Sequence, residues 1–288
     1  MSCLFSNFAG QVILHMQLYI TSLNSGSNGN CYYIGNSKEA VLIDAGISCR
    51  ETEKRMKRLG LSMNRVKALF VSHEHSDHIK GIAGLCKKYQ FPIYITDRTR
   101  ERGRLLIPDF QVSSFRPYEP VVIGDLLVTA FPKYHDATDP HSFIVRHKDL
   151  RVGVFTDIGR PCDHVISQFR QCDAAFLEAN YDEDMLENSS YPYFLKQRIR
   201  GGMGHLSNRQ AVELFQAHRS PKLTHLFLSH LSENNNCPGK VQRLFSECAG
   251  STRIVVASRY EETAVYVLGR ELPVEMVGGG TVEQLQFF

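Results

Sequence analysis

Residues 73–78 read His-Glu-His-Ser-Asp-His and follow directly on the apolar run Ala68-Leu69-Phe70-Val71. The chain has 12 histidines in 288 residues, so three in six positions is a local concentration that needs partners from elsewhere. Imidazole and carboxylate are ligands that suit zinc, manganese or iron at a hydrolytic site. On an extended segment alternate residues share a face, which lets His73 and His75 reach one ion together. Asp77 and His78 fall where the chain turns into a helix starting near Ile79. They project differently, a placement that suits a second ion. A strand end running into a helix start is a stiff platform for such work. The alternative is a solvated polar loop, and the rest of the chain decides between the two.

Four further polar residues stand at the ends of apolar runs: Asp44 in VLIDAG, His135 in FPKYHDATDP, Asp157 in VGVFTDIG and His230 in LFLSHLSENNN. Residues so placed converge on a shared rim when their strands lie side by side. Strands are expected at 18–21, 31–34, 40–43, 67–71, 93–95, 126–131, 142–145, 152–155, 174–177, 226–228 and 254–257. Helices are expected at 50–59, 79–89, 97–106, 164–171, 208–217 and 238–248. The pattern is α/β with many hairpins, so mixed sheets are favoured over a doubly wound parallel one. Without repeats, low-complexity tracts or a linker, a single domain over residues 16–288 is expected. Residues 1–15 read as a disordered extension, with Met16 an alternative start.

Composition excludes more than it selects. A formal charge of +3 does not announce a nucleic-acid binder, so any basic footprint must be local. The eight cysteines are scattered with no C-x-x-C pair, against a zinc ribbon or a disulfide framework. Reduced thiols in a cytoplasmic protein are the expectation. The apolar pieces before Met16 fall far short of the ~20 residues of a membrane span, and no membrane partner is expected.

Together these residues resemble the metallo-β-lactamase fold superfamily over roughly Asp44 to His230. The resemblance implies a four-layer αββα sandwich with two mixed β-sheets and a two-metal rim. By it, His73, His75 and His135 hold one ion; Asp77, His78 and His230 hold the other; and Asp157 bridges them. Asp44 corresponds to the carboxylate that steadies a ligand histidine or its loop. The implied cofactors are two divalent ions, zinc or manganese, with iron also admissible. Two such ions lower the pKa of a shared water and clamp attacking and leaving oxygens. An aspartate bridge is typical of the phosphodiesterases and thioesterases of the superfamily. No large domain follows Asp157, which disfavours the β-CASP nucleases, and no long Gly/Pro-rich arm of the RNase Z type is visible.

Longer blocks bring the resemblance closer to the YycJ/WalJ-like branch of small bacterial proteins: LNSGSNGNCYYI (Leu23–Ile34), LEANYDEDML (Leu177–Leu186), YPYFLKQRIRGGMGHLSN (Tyr191–Asn208) and LSHLSENNN (Leu228–Asn236). What this implies is a cytoplasmic metal-dependent nuclease that degrades DNA from a 5′ end. Asp77 and His205 are the residues expected in the chemistry itself, His205 as phosphate contact or leaving-group acid. A structural histidine is the other reading of His205. Arg198, Arg200, Ser207, Asn208 and Asn234 are candidate substrate contacts, although Ser207 or Asn208 also suits a helix cap. Glu178, Asn180 and Asp182 either line the cleft or cap local structure. Tyr191 and Tyr193 either stack on terminal bases or enter the core. The basic runs 54–58, 98–104 and 196–200 are either solvated helix faces or a phosphate track. Three functions follow: an exodeoxyribonuclease, a hydrolase of a small phosphodiester or thioester, and a regulatory metal-binding protein without catalysis.

Overall fold

The computed structural model describes residues 17–269, so the expectation for residues 1–15 lies outside the described part. The chain first lays down β1 (Leu18–Asn24), β2 (Cys31–Gly35) and β3 (Ala40–Ile43), joined by the Asn/Gly/Ser turns read from the sequence. Then come α1 (Cys49–Arg58), β4 (Val66–Phe70), α2 (Ser76–Ile79), α3 (Ile82–Lys88), β5 (Ile93–Tyr94), α4 (Asp97–Arg102) and β6 (Val112–Ser113). The second half runs β7 (Pro120–Ile123), β8 (Leu126–Pro132), β9 (His141–His147), β10 (Leu150–Phe155), α5 (Asp163–Phe169) and β11 (Ala174–Glu178). It continues with α6 (Glu183–Glu187), α7 (Tyr193–Arg200), α8 (Asn208–His218), β12 (His225–Ser229), α9 (Pro238–Ser246), β13 (Arg253–Val256) and β14 (Tyr266–Leu268).

These strands form two seven-stranded sheets, ordered β14-β1-β2-β3-β4-β5-β6 and β13-β12-β11-β10-β9-β8-β7. Both are mixed. Pairing is antiparallel from β14 to β3 and from β7 to β10, and parallel from β3 to β6 and from β10 to β13. The parallel strand β11 is buried along its whole length, as a strand covered on both faces must be. Between the sheets lies a core of Tyr32, Phe70, Phe143, Phe176 and Phe227 with aliphatic neighbours. A second cluster, with Phe155, Phe169, Phe215 and Phe245, seals α5, α8 and α9 onto the second sheet. A third, with Met56, Leu69, Ile82 and Leu85, seals α1 and α3 onto the first. The layers are therefore helix, sheet, sheet, helix, the expected αββα sandwich.

The helix expected at 79–89 is two helices. Gly81 donates its N–H to the Ala45 carbonyl at 2.7 Å, which fixes a break between Ile79 and Ile82. A Cβ there would lie 2.0 Å from the Ile47 carbonyl oxygen, so the close approach demands glycine. The first helix consequently begins at Ser76 and carries Asp77 and His78 in its opening turn. Among the described residues no helix is long and apolar enough to cross a membrane. The carboxyl ends of β3, β4, β10, β11 and β12 open on one edge of the sandwich, the usual place for a ligand in a parallel array.

Candidate metal centre

Several strand ends present polar residues to that edge. Asp44 follows β3, Ser72 and His73 follow β4, His135 follows β8, Asp157 follows β10 and His230 follows β12. Asp44, Asp157 and His230 adopt left-handed backbone, with φ of 61°, 54° and 56°. Non-glycine residues pay for that conformation, and such strain gathers at functional sites. The bend turns each side chain off its strand and into the rim.

Three imidazole nitrogens face one point. His75 Nδ1 lies 3.1 Å from His73 Nε2 and 3.2 Å from His135 Nε2. A cation held tetrahedrally at ~2.0–2.1 Å would set neighbouring nitrogens about 3.3 Å apart, so the triad fits one ion. A second set adjoins it: Asp77 Oδ2 lies 3.3 Å from His230 Nε2 and 3.5 Å from His78 Nε2. Asp157 stands between the two. Its Oδ1 is 3.8 Å from His135 Nε2 and its Oδ2 is 3.1 Å from His78 Nε2. That buried Oδ2 makes no hydrogen bond of good geometry among the described residues. A carboxylate oxygen left bare among imidazoles suits a cation better than a hydrogen-bonded ring.

The distal ring nitrogens are occupied, which leaves the proximal ones free to ligate. His78 Nδ1 lies 2.7 Å from Asp44 Oδ2, and the same oxygen accepts from Ser72 Oγ at 2.8 Å. Asp44 Oδ1 accepts from the Ser72 N–H at 2.7 Å. Ser72 Oγ in turn lies 2.9 Å from His73 Nδ1, and His135 Nδ1 is 3.0 Å from the Gly204 carbonyl oxygen. Asp44 thus fixes both the His73–His78 loop and one candidate ligand ring.

Glu178 does the equivalent on the other sheet. Its Oε1 lies 2.9 Å from His230 Nδ1 and 2.8 Å from His205 Nδ1. Its Oε2 accepts from the N–H groups of Ile158 and Leu206 at 2.7 and 3.1 Å. Of the three residues read from LEANYD, Glu178 is this hub. Asn180 lines the cleft and donates to the His230 carbonyl at 2.8 Å, while Asp182 caps α6 and pairs with Lys240.

Burial and charge oppose each other here. Burial holds His73 neutral and pushes His135 down to about 3. Burial also disfavours charge on His78 and His230, but Asp157 and the neighbouring carboxylates outweigh it; His78 is raised well above its ordinary value and His230 to about 10. For the carboxylates burial is again outweighed, and the nearby imidazoles hold Asp77 and Asp157 well below the ordinary range and Glu178 at about 2. The rim carries a concentration of anionic oxygen that divalent cations would balance.

The rim floors a cleft of about 410 Å³ whose walls include Asp136, Tyr191, Leu195, Arg198 and His205. Arg198 reaches it but is already ion-paired with Asp136. The other proposed substrate contacts do not line it. Arg200 pairs with Glu187 at 2.8 Å. The Ser207 hydroxyl accepts from Gln210 N–H in a capping box at the start of α8. Asn208 exchanges amide hydrogen bonds with Asn236, and Asn234 donates to the Tyr191 hydroxyl at 3.0 Å. Local capping and packing claim these groups, and of the described basic residues in the run 196–200 Arg198 alone lines the opening. Tyr193 stays out of the core, 74% exposed on α7.

Two contacts to the ligand loop had gone unread in the sequence. Asn30, in the NSGSNGN turn, places its Nδ2 3.1 Å from both Asp77 Oδ2 and His78 Nε2. Glu74 accepts from Thr138 N–H and hydroxyl at 2.8 and 2.7 Å, tying the loop to the turn that carries His135. Asparagine in a turn and glutamate between two histidines carry no signal of such long-range bonds.

Known proteins resemble this chain in sequence and in fold. The beta-lactamase superfamily domain model matches residues 39–230. Exodeoxyribonuclease YycJ of Bacillus anthracis is 34% identical over 224 residues, covering 77% of this chain and 85% of that protein. Exodeoxyribonuclease WalJ of Streptococcus pneumoniae (serotype 2, strain D39) is 32% identical over 219 residues, 74% of this chain and 81% of that one. Among solved structures, the metallo-beta-lactamase fold protein YhfI of Bacillus subtilis superposes with a TM-score of 0.68 at 17% identity, over 88% of this chain and 99% of that one. That likeness speaks for the fold alone. Fold, matched domain and full-length relatives together make this chain a member of the metallo-β-lactamase fold superfamily, in the branch that holds the YycJ and WalJ proteins.

Proposed function

We propose that this metal-dependent hydrolase is an exodeoxyribonuclease that removes nucleotides from a 5′ end. The observation that carries the reading is the convergence of seven candidate ligands with His205 on one cleft, in a chain whose full-length relatives bear the name exodeoxyribonuclease. His73, His75 and His135 would hold one cation; Asp77, His78 and His230 the other; Asp157 would serve both. Bound there, two cations supply a nucleophilic water at neutral pH and neutralise charge on the phosphate.

The chain's own side chains do the rest. Asp44 and Ser72 lock the ligand loop, and Glu178 locks His230 while presenting His205. Anchored at Nδ1 by that carboxylate, His205 offers Nε2 to the cleft, where it would protonate the departing sugar oxygen. Asp77, at the cleft wall and bonded to the ligand histidines, orients the second site. Arg198 would trade Asp136 for a substrate phosphate, since guanidinium binds both bidentately. A cleft of about 410 Å³ is of small-molecule size, between ~300 and 1,000 Å³, which suits a strand end.

The same size, with Arg198 the only arginine or lysine among the described residues on its wall, also suits a small phosphodiester as the substrate. Zinc- or manganese-loaded protein with a 5′-labelled duplex separates the two readings. Early release of labelled mononucleotide supports the nuclease and its polarity. Release from the 3′ end overturns the polarity. Intact DNA alongside hydrolysis of bis(p-nitrophenyl) phosphate overturns the nuclease in favour of the small diester.

A further inference from the structure

Behind the loop that follows His230 lies a second cavity, of about 230 Å³. Ser232 lines both it and the metal cleft, so one residue separates them. Leu231, Pro238, Val256 and Ala257 give it apolar walls, with Arg259 and Tyr260 at the rim. The Tyr260 ring is 70% exposed. Glu233 binds the rim together, accepting from the Tyr260 hydroxyl at 3.1 Å and pairing with Arg259 Nη2 at 3.1 Å. Arg259 is left with its Nε and Nη1 buried and, among the described residues, without an acceptor. Buried donors are satisfied in the great majority of cases, so two on one guanidinium call for an explanation.

The cavity is also mechanically joined to the metal centre. Ser25 donates its N–H to the Ser258 carbonyl at 3.1 Å, and its hydroxyl accepts from the His230 N–H at 2.8 Å. Asn28 Nδ2 donates to the Arg259 carbonyl at 2.8 Å, and Asn30 of the same turn touches Asp77. The NSGSNGN turn therefore holds the second cavity in register with the metal ligands.

We propose that this cavity is the subsite for one nucleobase of the strand whose phosphate enters the metal cleft, an assignment that rests on the nuclease reading above. Its volume lies below the ~300 Å³ at which whole small-molecule sites begin, which suits a single flat group. Apolar walls and an exposed tyrosine suit the face of a base, and such stacking tolerates any sequence. The Arg259 guanidinium, 5.9 Å from the centre of the Tyr260 ring, backs that stacking face. A phosphate fits less well, because the Glu233 carboxylate already sits against the guanidinium.

The test compares the wild type, Tyr260→Ala and Arg259→Met on a short single-stranded oligonucleotide and on versions with one abasic position stepped along its first nucleotides. Either substitution is expected to raise KM for the intact strand about five-fold or more. One abasic position is expected to raise the wild-type KM by the same factor and to cost Tyr260→Ala nothing further. Unchanged KM in Tyr260→Ala, or abasic and Tyr260→Ala effects that multiply at every position, would overturn the subsite while leaving the nuclease standing. Tyr260 is exposed, so its variant stays informative if Arg259→Met fails to fold. Wild type that hydrolyses bis(p-nitrophenyl) phosphate but no oligonucleotide would overturn the nuclease reading and the subsite with it.

Discussion

Glu178 is fully buried, and its two oxygens meet four donors from three different segments. Through Oε1 it joins a candidate metal ligand, His230, to the imidazole best placed to handle a proton, His205. Glu178→Gln keeps the shape but offers an amide, and removing the orienting partner of a ligand histidine costs ~10–100-fold in metal affinity or activity. Metal titration and turnover should both fall by that amount; an unchanged protein would free Glu178 from any such work. His205→Ala is expected to keep two equivalents of metal while kcat drops ~10²–10⁴-fold. Loss of metal in that variant would instead make His205 a ligand. The seven candidate ligands were legible from three signals: the HEHSDH motif, the polar residues His135, Asp157 and His230 at the ends of apolar runs, and the family resemblance that joins them. Glu178 was only half legible, since its partners lie 27 and 52 residues further along the chain. Ser207 and Asn208 show the opposite case: one caps α8 and the other pairs with Asn236, 28 residues away, so neither side chain lines the cleft.

Among the elements, α2 matters most, because its opening turn carries Asp77 and His78 and has no side-chain cap. It is held instead by neighbouring backbone: the Asp77 carbonyl accepts from Asn30 N–H at 2.7 Å, and the His78 carbonyl from Ala45 N–H at 2.8 Å. Gly46 makes this approach possible, since a Cβ there would sit 1.7 Å from the Asp77 carbonyl oxygen. Gly46→Ala is therefore expected to push the turn off the rim, lowering both melting temperature and metal stoichiometry; a variant that still binds two ions with wild-type stability would contradict that packing. The single helix read over 79–89 missed the break at Gly81, which only the neighbouring loop explains. Helix α7 was unread for a different reason. None of its residues is fully buried, so it offers no apolar stripe at helical spacing to recognise. The edge strands β6, β7 and β14, of two, four and three residues, were too short to stand out.

At the level of the whole molecule, two half-parallel sheets bring the carboxyl ends of their parallel strands to one edge, so the rim is assembled from both halves of the chain. Cations there would cross-link the sheets and stabilise the fold by linkage. At ~100 times the dissociation constant that is about 2.7 kcal/mol, or a rise of about 5–10 °C in Tm for a chain of this size. A chelator should reverse it; a Tm indifferent to metal would mean that the rim is not a binding site. The α/β class with mixed sheets was legible in the alternating helical and strand runs, and the αββα order in the family resemblance, whereas the cleft's size and its mostly paired charges emerge only on folding. Anomalous diffraction at the metal edge, from crystals of manganese- or zinc-loaded protein, tests the central claim most directly. Two peaks are expected, one shared by His73, His75 and His135 and one by Asp77, His78 and His230, with Asp157 in contact with both. A single peak, or two that leave Asp157 or His230 without metal, would contradict the two-cation centre.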